Sequence, residues 1–385
     1  MRANCAGSEQ NSRLRLVYVV TEDWFFVTHF LPMARAAKEA GFEIVVVTRV
    51  GNCAKEIESE GFRLITLAGD RAALGIGALL STLFRLRAIF IREHPDIIHA
   101  IALKSVILGG IANLLSLGSA GVFSLTGLGY LWSGNRPVLR LSRAAVRFIL
   151  RLLRLRSPAT FTFENEDDSR EFPRLKDKIV IGGWGVDATP FLSKSTHPVS
   201  PVRVLYLGRM LKSKGVEPTV RAVQLAREKT GVWLELWGTP DPGNLTSLTE
   251  DQLLEFSKLD GVQWCGRASD VSTTWQRADI AILLSEREGM PRSLIEAAAS
   301  GLPMIAFDVA GCRSIVHDGI NGFLIQPGNV HGVADAILKL ANDPELRARM
   351  GAAARSDFEQ RFSIESVVPR IIEVYFNLVR YPQMR

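Results

Sequence analysis

Glu288 and Glu296 close the two ends of the run Glu288-Gly289-Met290-Pro291-Arg292-Ser293-Leu294-Ile295-Glu296. Residues 280–284 are apolar and read as a strand ending just before it. Pro291 and Ser293 suit a helix start, Ala297-Ala298-Ala299 continues it, and Gly301-Leu302-Pro303 stops it. Glu288 then falls in the loop at the strand's carboxyl end, and Glu296 lies a turn into the helix. Free amides near Ser293 and Leu294 can hold an anion. Carboxylates on both sides of an anion site suit the hydroxyls at either end of a sugar nucleotide. Glu pairs at this spacing are common; the strand-to-helix setting distinguishes this one.

A second constellation is Gly208-Arg209-Met210-Leu211-Lys212-Ser213-Lys214-Gly215, directly after the apolar run 202–207. A glycine admits a ligand close to the backbone, and the cations neutralise a diphosphate. Elsewhere such a loop is only a solvated basic turn; after the first strand of a nucleotide-binding unit it reads as a phosphate cradle. His29 precedes Pro32, and His99 ends the apolar run 95–100. Both are candidates for the acceptor side of a cleft, against packing or capping roles.

A third constellation is basic. From 97 to 163 there is no Asp or Glu, while Arg136, Arg140, Arg143, Arg147, Arg151 and Arg154 recur at helical spacing. At 100° per residue they span an arc of about 80°. Leu139, Val146, Ile149, Leu150, Leu152 and Leu153 fill much of the remaining surface. Such a helix suits a membrane interface or anionic lipid head groups, with Tyr130 and Trp132 at head-group level. A solvated face on a core helix is the plain alternative. No acidic partner shares the helix face, so the arginines are expected to repel one another in water. A nucleic-acid surface is not expected, because no nucleic-acid motif accompanies the stripe.

The elements that must position these residues follow from the rest of the chain. The 385 residues are 47% hydrophobic and 22% charged, with net charge +6, which excludes a disordered chain and favours two domains. Mean hydropathy is +0.13, high for a freely soluble enzyme. Cys5, Cys53, Cys265 and Cys312 form no C-x-x-C pair, so neither a zinc site nor a disulfide framework is expected. The polar first residues lack an apolar signal core, so no secretory signal peptide is expected, and a reducing cytosol is the expected compartment.

Strands are expected over 14–20, 42–48, 62–67, 95–100 and 178–181, with helices at 31–40, 57–61 and 79–93. Pro32 is expected at a first helical position, after a loop at 21–23. The uncharged stretch 105–125 is long enough to span a bilayer. Its glycines and the break at Gly118 read instead as a buried helix followed by a buried strand. Residues 188–201 carry prolines and no period, and read as a linker. A second series of strands follows at 202–207, 232–237, 262–265, 280–284, 304–306 and 322–325. A final helix at 369–379 has no strand after it and is expected to pack back on the first half. The outcome is α/β: two Rossmann-like parallel-sheet domains facing across a cleft, with ligands at the strands' carboxyl ends.

The motif order resembles a known family. G-R-x4-K-G (Gly208 to Gly215), V-x-W-x-G (Val262 to Gly266), E-G-x-P-x-S-L-x-E (Glu288 to Glu296), D-V-x-G-C-R (Asp308 to Arg313) and D-G-x-N-G (Asp318 to Gly322) are similar to the retaining glycosyltransferases of family 4. The first half is similar to a subgroup building bacterial surface glycans on lipid carriers, through Glu22-Asp23-Trp24-Phe25-Phe26 with His29, Pro95-Asp96 with His99, and Thr126-Gly127-Leu128-Gly129.

The resemblance implies the GT-B fold, with an acceptor and membrane-facing domain at 1–195, a nucleotide-sugar domain at 196–365 and a returning helix at 366–385. It implies catalytic roles for Glu288, Arg209 and Lys214, with Arg209 and Lys214 on the diphosphate and Glu288 facing the donor sugar. Glu296 would hold the ribose, and Gly208, Gly266, Gly289, Met290, Pro291, Ser293 and Leu294 would border the donor. His29, His99, Thr126 and Gly127 fall on the acceptor side. No metal or other cofactor is expected, which agrees with the lack of a D-x-D motif.

Trp24-Phe25-Phe26 replaces a common Gly-Gly pair, Thr126-Gly127 stands where many relatives carry a His, Gly183-Trp184 stands where Pro, Ser or Asn is usual, and Ser314 replaces a commonly acidic residue. The expected activity is retaining, metal-independent transfer of a hexosyl or N-acetylhexosaminyl group from a UDP-sugar to a lipid-linked saccharide, at the inner face of the plasma membrane. The alternatives are a nucleotide-sugar 2-epimerase of the same fold and a non-catalytic membrane-bound binding protein.

Overall fold

The structure is a computed structural model and describes residues 13–67, 75–132, 134, 136–192 and 201–380. The expected boundary at 195/196 and most of the 188–201 linker lie outside the described residues, as does Cys5.

The first sheet contains β1 (Arg15–Glu22), β2 (Glu43–Arg49), β3 (Arg63–Thr66), β4 (Ile97–Ile101), β5 (Ala120–Leu125), β6 (Ala159–Phe163) and β7 (Lys178–Val180). Its order is β3-β2-β1-β4-β5-β6-β7, with every pair parallel. The helices of this half are α1 (Asp23–Glu39), α2 (Ala54–Ser59), α3 (Ile76–Glu93), α4 (Leu103–Leu114), α5 (Pro137–Leu152) and α6 (Glu166–Arg170).

The second sheet contains β8 (Arg203–Leu207), β9 (Trp233–Trp237), β10 (Val262–Gly266), β11 (Ile280–Leu283), β12 (Met304–Phe307) and β13 (Gly322–Ile325). Its order is β10-β9-β8-β11-β12-β13, again parallel. Around it lie α7 (Val216–Arg227), α8 (Glu250–Ser257), α9 (Val271–Gln276), α10 (Arg292–Ala299), α11 (Ala310–Arg313), α12 (Val330–Asn342) and α13 (Pro344–Arg361), and the last helix is α14 (Ile364–Arg380).

The strands read as unbroken apolar runs because helices cover both faces of each sheet. Alternate side chains of β1 enter different cores. Leu16, Tyr18 and Val20 pack with α1 and α14, whereas Val17 and Val19 pack with α3, α4 and α5. The stretch 105–125 resolves into most of α4, a turn with Gly118 at φ 71, and β5. No helix among the described residues is long and apolar enough to cross a membrane. β6 was not expected from the sequence.

Two helix starts differ from expectation. The first helix begins at Asp23, not at 31, and Pro32 lies inside it. The Asp23 carboxylate accepts from the amides of Trp24, Gly51 and Cys53, which anchors the helix start, immediately after β1, on the turn that follows β2. The last helix likewise begins before Pro369, at Ile364.

α14 leaves the second half and returns across the first sheet. The Tyr375 hydroxyl meets Tyr18 Oη at 3.0 Å and His99 Nδ1 at 2.7 Å, with all three side chains buried. Tyr375→Phe keeps the ring and leaves a buried ring nitrogen without its partner. Unfolding free energy in urea should fall by about 1–3 kcal/mol, with nucleotide affinity unchanged.

Candidate active site

Both sheets reverse their strand order beside the first strand of each half, at β1/β4 and at β8/β11. Loops diverge at such a point and leave a crevice at the carboxyl ends. A cavity of about 760 Å³ lies there, bordered by the turns following all four strands. Glu22, Trp24, Phe25 and His29 come from the β1 side, and Lys104 from the β4 side. Gly208, Arg209 and Lys214 follow β8; Glu288, Gly289, Met290, Pro291, Arg292 and Ser293 follow β11.

The centre of the second-half wall is an ion pair. Lys214 Nζ lies 2.6 Å from each oxygen of Glu288, and Ser285 Oγ donates to Glu288 Oε1 at 2.6 Å. Gly215 makes this approach possible. Its φ is 78, and a Cβ there would lie 2.0 Å from the Leu284 carbonyl oxygen. Arg209 is half-exposed and pairs with Asp241 at 2.8 Å. Gly208 donates to the Trp237 carbonyl, closing the base of the loop.

Not every expected donor residue borders the cavity. Glu296 and Leu294 are buried behind its wall. The Leu294 amide is not free: it donates to the Pro291 carbonyl at 3.1 Å, because the first turn of α10 tightens there. The Glu296 carboxylate accepts from Arg292 Nε at 2.8 Å. Burial pushes the Glu296 carboxyl up, and Arg292 opposes that shift. Gly266 also stands off the cavity and accepts the Gly238 amide at 2.7 Å, supporting the turn behind Gly208.

The domains touch through this site. Pro32 has no amide proton, so the Thr28 carbonyl four residues earlier lacks its helical donor. Arg292 Nη1 fills that place at 2.5 Å. Asn165 Nδ2 donates to the Gly289 carbonyl at 2.7 Å, and Arg313 pairs with Asp167 at 2.8 Å.

His29 and His99 separate. His29 lies within α1 rather than before a helix, borders the cavity and stacks on Phe25 with centroids 4.5 Å apart. Burial and the Arg292 charge push it down to about 3. His99 is fully buried and does not reach the cavity. It bridges the Tyr375 hydroxyl and Ser124 Oγ at 2.7 and 2.6 Å, so its place is structural. Burial pushes it down to about 3 as well. Thr126 borders the cavity, and Gly127, with φ 83, packs against the backbone of Gly289.

The six arginines do not share one helix. Only Arg140, Arg143, Arg147 and Arg151 lie within α5; Arg136 precedes it and Arg154 follows it. Arg147 pairs with Glu171 at 2.8 Å, Arg154 with Asp177, and Arg143 donates to the Leu131 and Gly134 carbonyls. The missing acidic partners come from the segment after β6, which a survey of one helix does not reach. The exposed face of α5 instead joins Arg140 and Arg151 to Val138, Leu141 and Phe148.

Glu164, Trp184, Glu22 and Lys104 also border the cavity, and the sequence by itself gives none of them a site role. Glu164 follows β6, which the sequence pattern does not reveal, and Glu22 and Trp184 stand in the sequence only as parts of motifs. Among the described residues no group of three His, Cys, Asp or Glu is placed to hold a metal.

Comparison with known proteins agrees with this architecture. A family model described as Glycosyl transferases group 1 matches residues 189–357, and one described as Glycosyl transferase 4-like matches residues 15–156. The chain belongs to these glycosyltransferases, and its two parallel-sheet halves form the GT-B fold.

An N,N'-diacetylbacillosaminyl-diphospho-undecaprenol alpha-1,3-N-acetylgalactosaminyltransferase from Campylobacter jejuni is 24% identical over 372 residues, covering 92% of this chain and 96% of that one. The capsular polysaccharide biosynthesis glycosyltransferase CapM of Staphylococcus aureus is 22% identical over the same shares of each chain. An N-acetyl-alpha-D-glucosaminyl L-malate synthase from Bacillus anthracis is 28% identical over 178 residues, and there the match spans about half of the relative, 46%. Among solved structures, the sucrose-phosphate synthase of Thermosynechococcus elongatus superposes with TM-score 0.77 at 19% identity, over 96% of this chain and 100% of that one. Anabaena Alr3699/HepE, in complex with UDP and glucose, superposes with TM-score 0.76 at 18% identity, over 95% and 100%.

The neutral histidines set an acid limit on stability. With a folded pKa of about 3 against an ordinary 6.5, His99 takes up a proton more readily in the unfolded chain. Its contribution is complete above pH 6.5 and is lost as pH falls toward 3. Between pH 6.5 and 5 that loss is about 2 kcal/mol. Urea titrations at pH 7 and pH 5 should show a smaller drop for His99→Gln than for the wild type.

Proposed function

We propose that this chain transfers a sugar, with retention of anomeric configuration, from a UDP-sugar to a lipid-linked saccharide during bacterial surface-glycan synthesis. The observation that carries the reading is the Lys214–Glu288 pair, with Arg209 beside it, on the wall of an interdomain cavity at the strands' carboxyl ends.

In this reading Arg209 and Lys214 hold the diphosphate, and they stabilise the negative charge that grows on it as the glycosidic bond breaks. Glu288 accepts from hydroxyls of the transferred sugar. Glu296 holds the ribose once Arg292 turns away from it. Ser293 presents a helix-start amide to phosphate. The departing phosphate takes the acceptor's proton on the same face, so the reaction runs without a metal. The first half receives the acceptor beside His29 and Thr126. Support for a nucleotide donor and a lipid-diphosphate acceptor comes from the relatives: one is named for a diphospho-undecaprenol acceptor, and one is solved with UDP and glucose.

The exposed face of α5 supports work at a membrane surface. Val138, Leu141 and Phe148 are 73%, 74% and 59% exposed. Apolar side chains flanked by arginines suit the boundary between anionic head groups and acyl chains, at about 1 kcal/mol for each arginine. The proposed location is the inner face of the plasma membrane.

Thermal-shift binding against UDP, GDP, ADP and their sugar conjugates tests the donor. A hundredfold excess over Kd adds about 2.7 kcal/mol of stability. A clear shift with UDP and one UDP-sugar is expected, and no shift with any nucleotide would sink the reading. Glu288→Ala should lower transfer by about 10²–10³-fold while UDP affinity stays within a few-fold; equal loss of both would contradict its role. For the membrane, the triple variant Arg140→Glu, Phe148→Ser, Arg151→Glu should stay in the supernatant when phosphatidylglycerol vesicles sediment. Pelleting like the wild type would refute that surface.

A further inference from the structure

Glu164 follows β6, is only 7% exposed, and still borders the cavity. Its Oε1 accepts the Trp184 indole N–H at 2.8 Å. Trp184 is itself fixed against Phe30, with ring centroids 4.6 Å apart. Glu164 Oε2 has no hydrogen-bond partner among the described residues, and it is not among the buried atoms sealed from the cavity. That oxygen faces the backbone of Gly289, where a Cβ would lie only 2.6 Å from it. Gly127 closes on the same glycine from the β5 side, 3.0 Å from that Cβ position. Oε2 therefore sits at the seam of the two domains, beside the loop that carries Glu288.

A carboxyl so nearly buried is expected to make a second hydrogen bond. The surroundings decide its direction. Burial, together with the carboxylates of Asp168 on α6 and Glu288 after β11, pushes Glu164 up to about 8, against the pull of the Trp184 hydrogen bond. Lys214 is paired with Glu288, and the Arg287 charge acts on Asp168. At neutral pH, Oε1 accepts from Trp184 and Oε2 carries a proton. Glu288 offers only acceptors across the seam, whereas Glu164 offers a donor.

We propose that Glu164 contacts the transferred sugar and donates a hydrogen bond from Oε2 to one of its hydroxyl oxygens, so that this donor and the acceptor Glu288 together select the sugar. The assignment rests on the donor site proposed above. A site built to hydrogen-bond a particular hydroxyl discriminates strongly against a sugar lacking it, because its buried group is then left unpaired.

The test is calorimetric, on the full chain, with UDP alone and with UDP-glucose, UDP-galactose, UDP-N-acetylglucosamine and UDP-N-acetylgalactosamine, from pH 6 to 9.5. Glu164→Ala is expected to bind UDP within twofold of wild type, and to bind the preferred conjugate at least tenfold more weakly. Glu164→Gln keeps an acceptor for Trp184 and a donor toward the sugar. It should recover most of the affinity that Glu164→Ala loses. It should also lack the fall in conjugate affinity that the wild type shows above pH 8. Unchanged conjugate affinity in Glu164→Ala, with UDP still bound, overturns this inference alone. A Gln variant as weak as the Ala variant overturns the donor role. Failure of the wild type to bind UDP overturns both this inference and the donor site beneath it.

Discussion

A lysine held between the two oxygens of one carboxylate is the contact on which the rest of the site depends. Lys214 and Glu288 belong to the turns after β8 and β11, neighbouring strands whose connections leave in opposite directions. The pair spans the mouth of the crevice that this reversal opens. Removing either partner leaves a largely desolvated charge, and such charges are costly when unpaired. The surrounding geometry serves the pair. Gly215 clears the space that a side chain would block, and Ser285 adds a donor to the carboxylate.

The second-half wall is also tied to the first half, and the tie begins with a local defect. Pro32 removes one amide from α1, and the freed Thr28 carbonyl receives Arg292 from α10. Arg292 holds Glu296 with the same guanidinium. One side chain thus joins α1 of the first half to a buried carboxylate of the second. Asn165 and Gly289 make a parallel tie, and two glycines let the backbones meet. Opening the cleft must break these contacts.

Buried polar groups divide into two kinds. His99, Tyr375, Tyr18 and Ser124 satisfy one another and lock α14 across the first sheet. That network consumes its donors and acceptors, which is why His99 is structural although it lies on β4, a strand that leads to the crevice. Glu164 is nearly as buried and His29 partly so, but both remain on the cavity wall. The difference is set by direction: His99 faces the α14 side of the sheet, whereas the other two face the crevice.

Much of the architecture was legible in the sequence, and the reason is local. Apolar runs bounded by glycines report parallel strands covered on both faces. The spacing within Gly208–Gly215 and Glu288–Glu296 reports the two strand-end turns. The break at Gly118 distinguished α4 and β5 from a membrane span. What failed depended on residues far apart in the chain. Pro32 reads as a helix start until Asp23 is seen anchored by Gly51 and Cys53. The arginines of α5 read as unpaired until Glu171 and Asp177 arrive from beyond β6. Glu164 carries no motif, and only the approach of Gly289 makes its free oxygen part of the site. By itself the sequence determined the fold class, the family and the residues of each turn, because these follow from spacing along one segment. Only the tertiary structure decided which of those residues face the cavity and which charges are already paired. Burial and electrostatic partnership are properties of segments brought together by folding, and no single segment contains them.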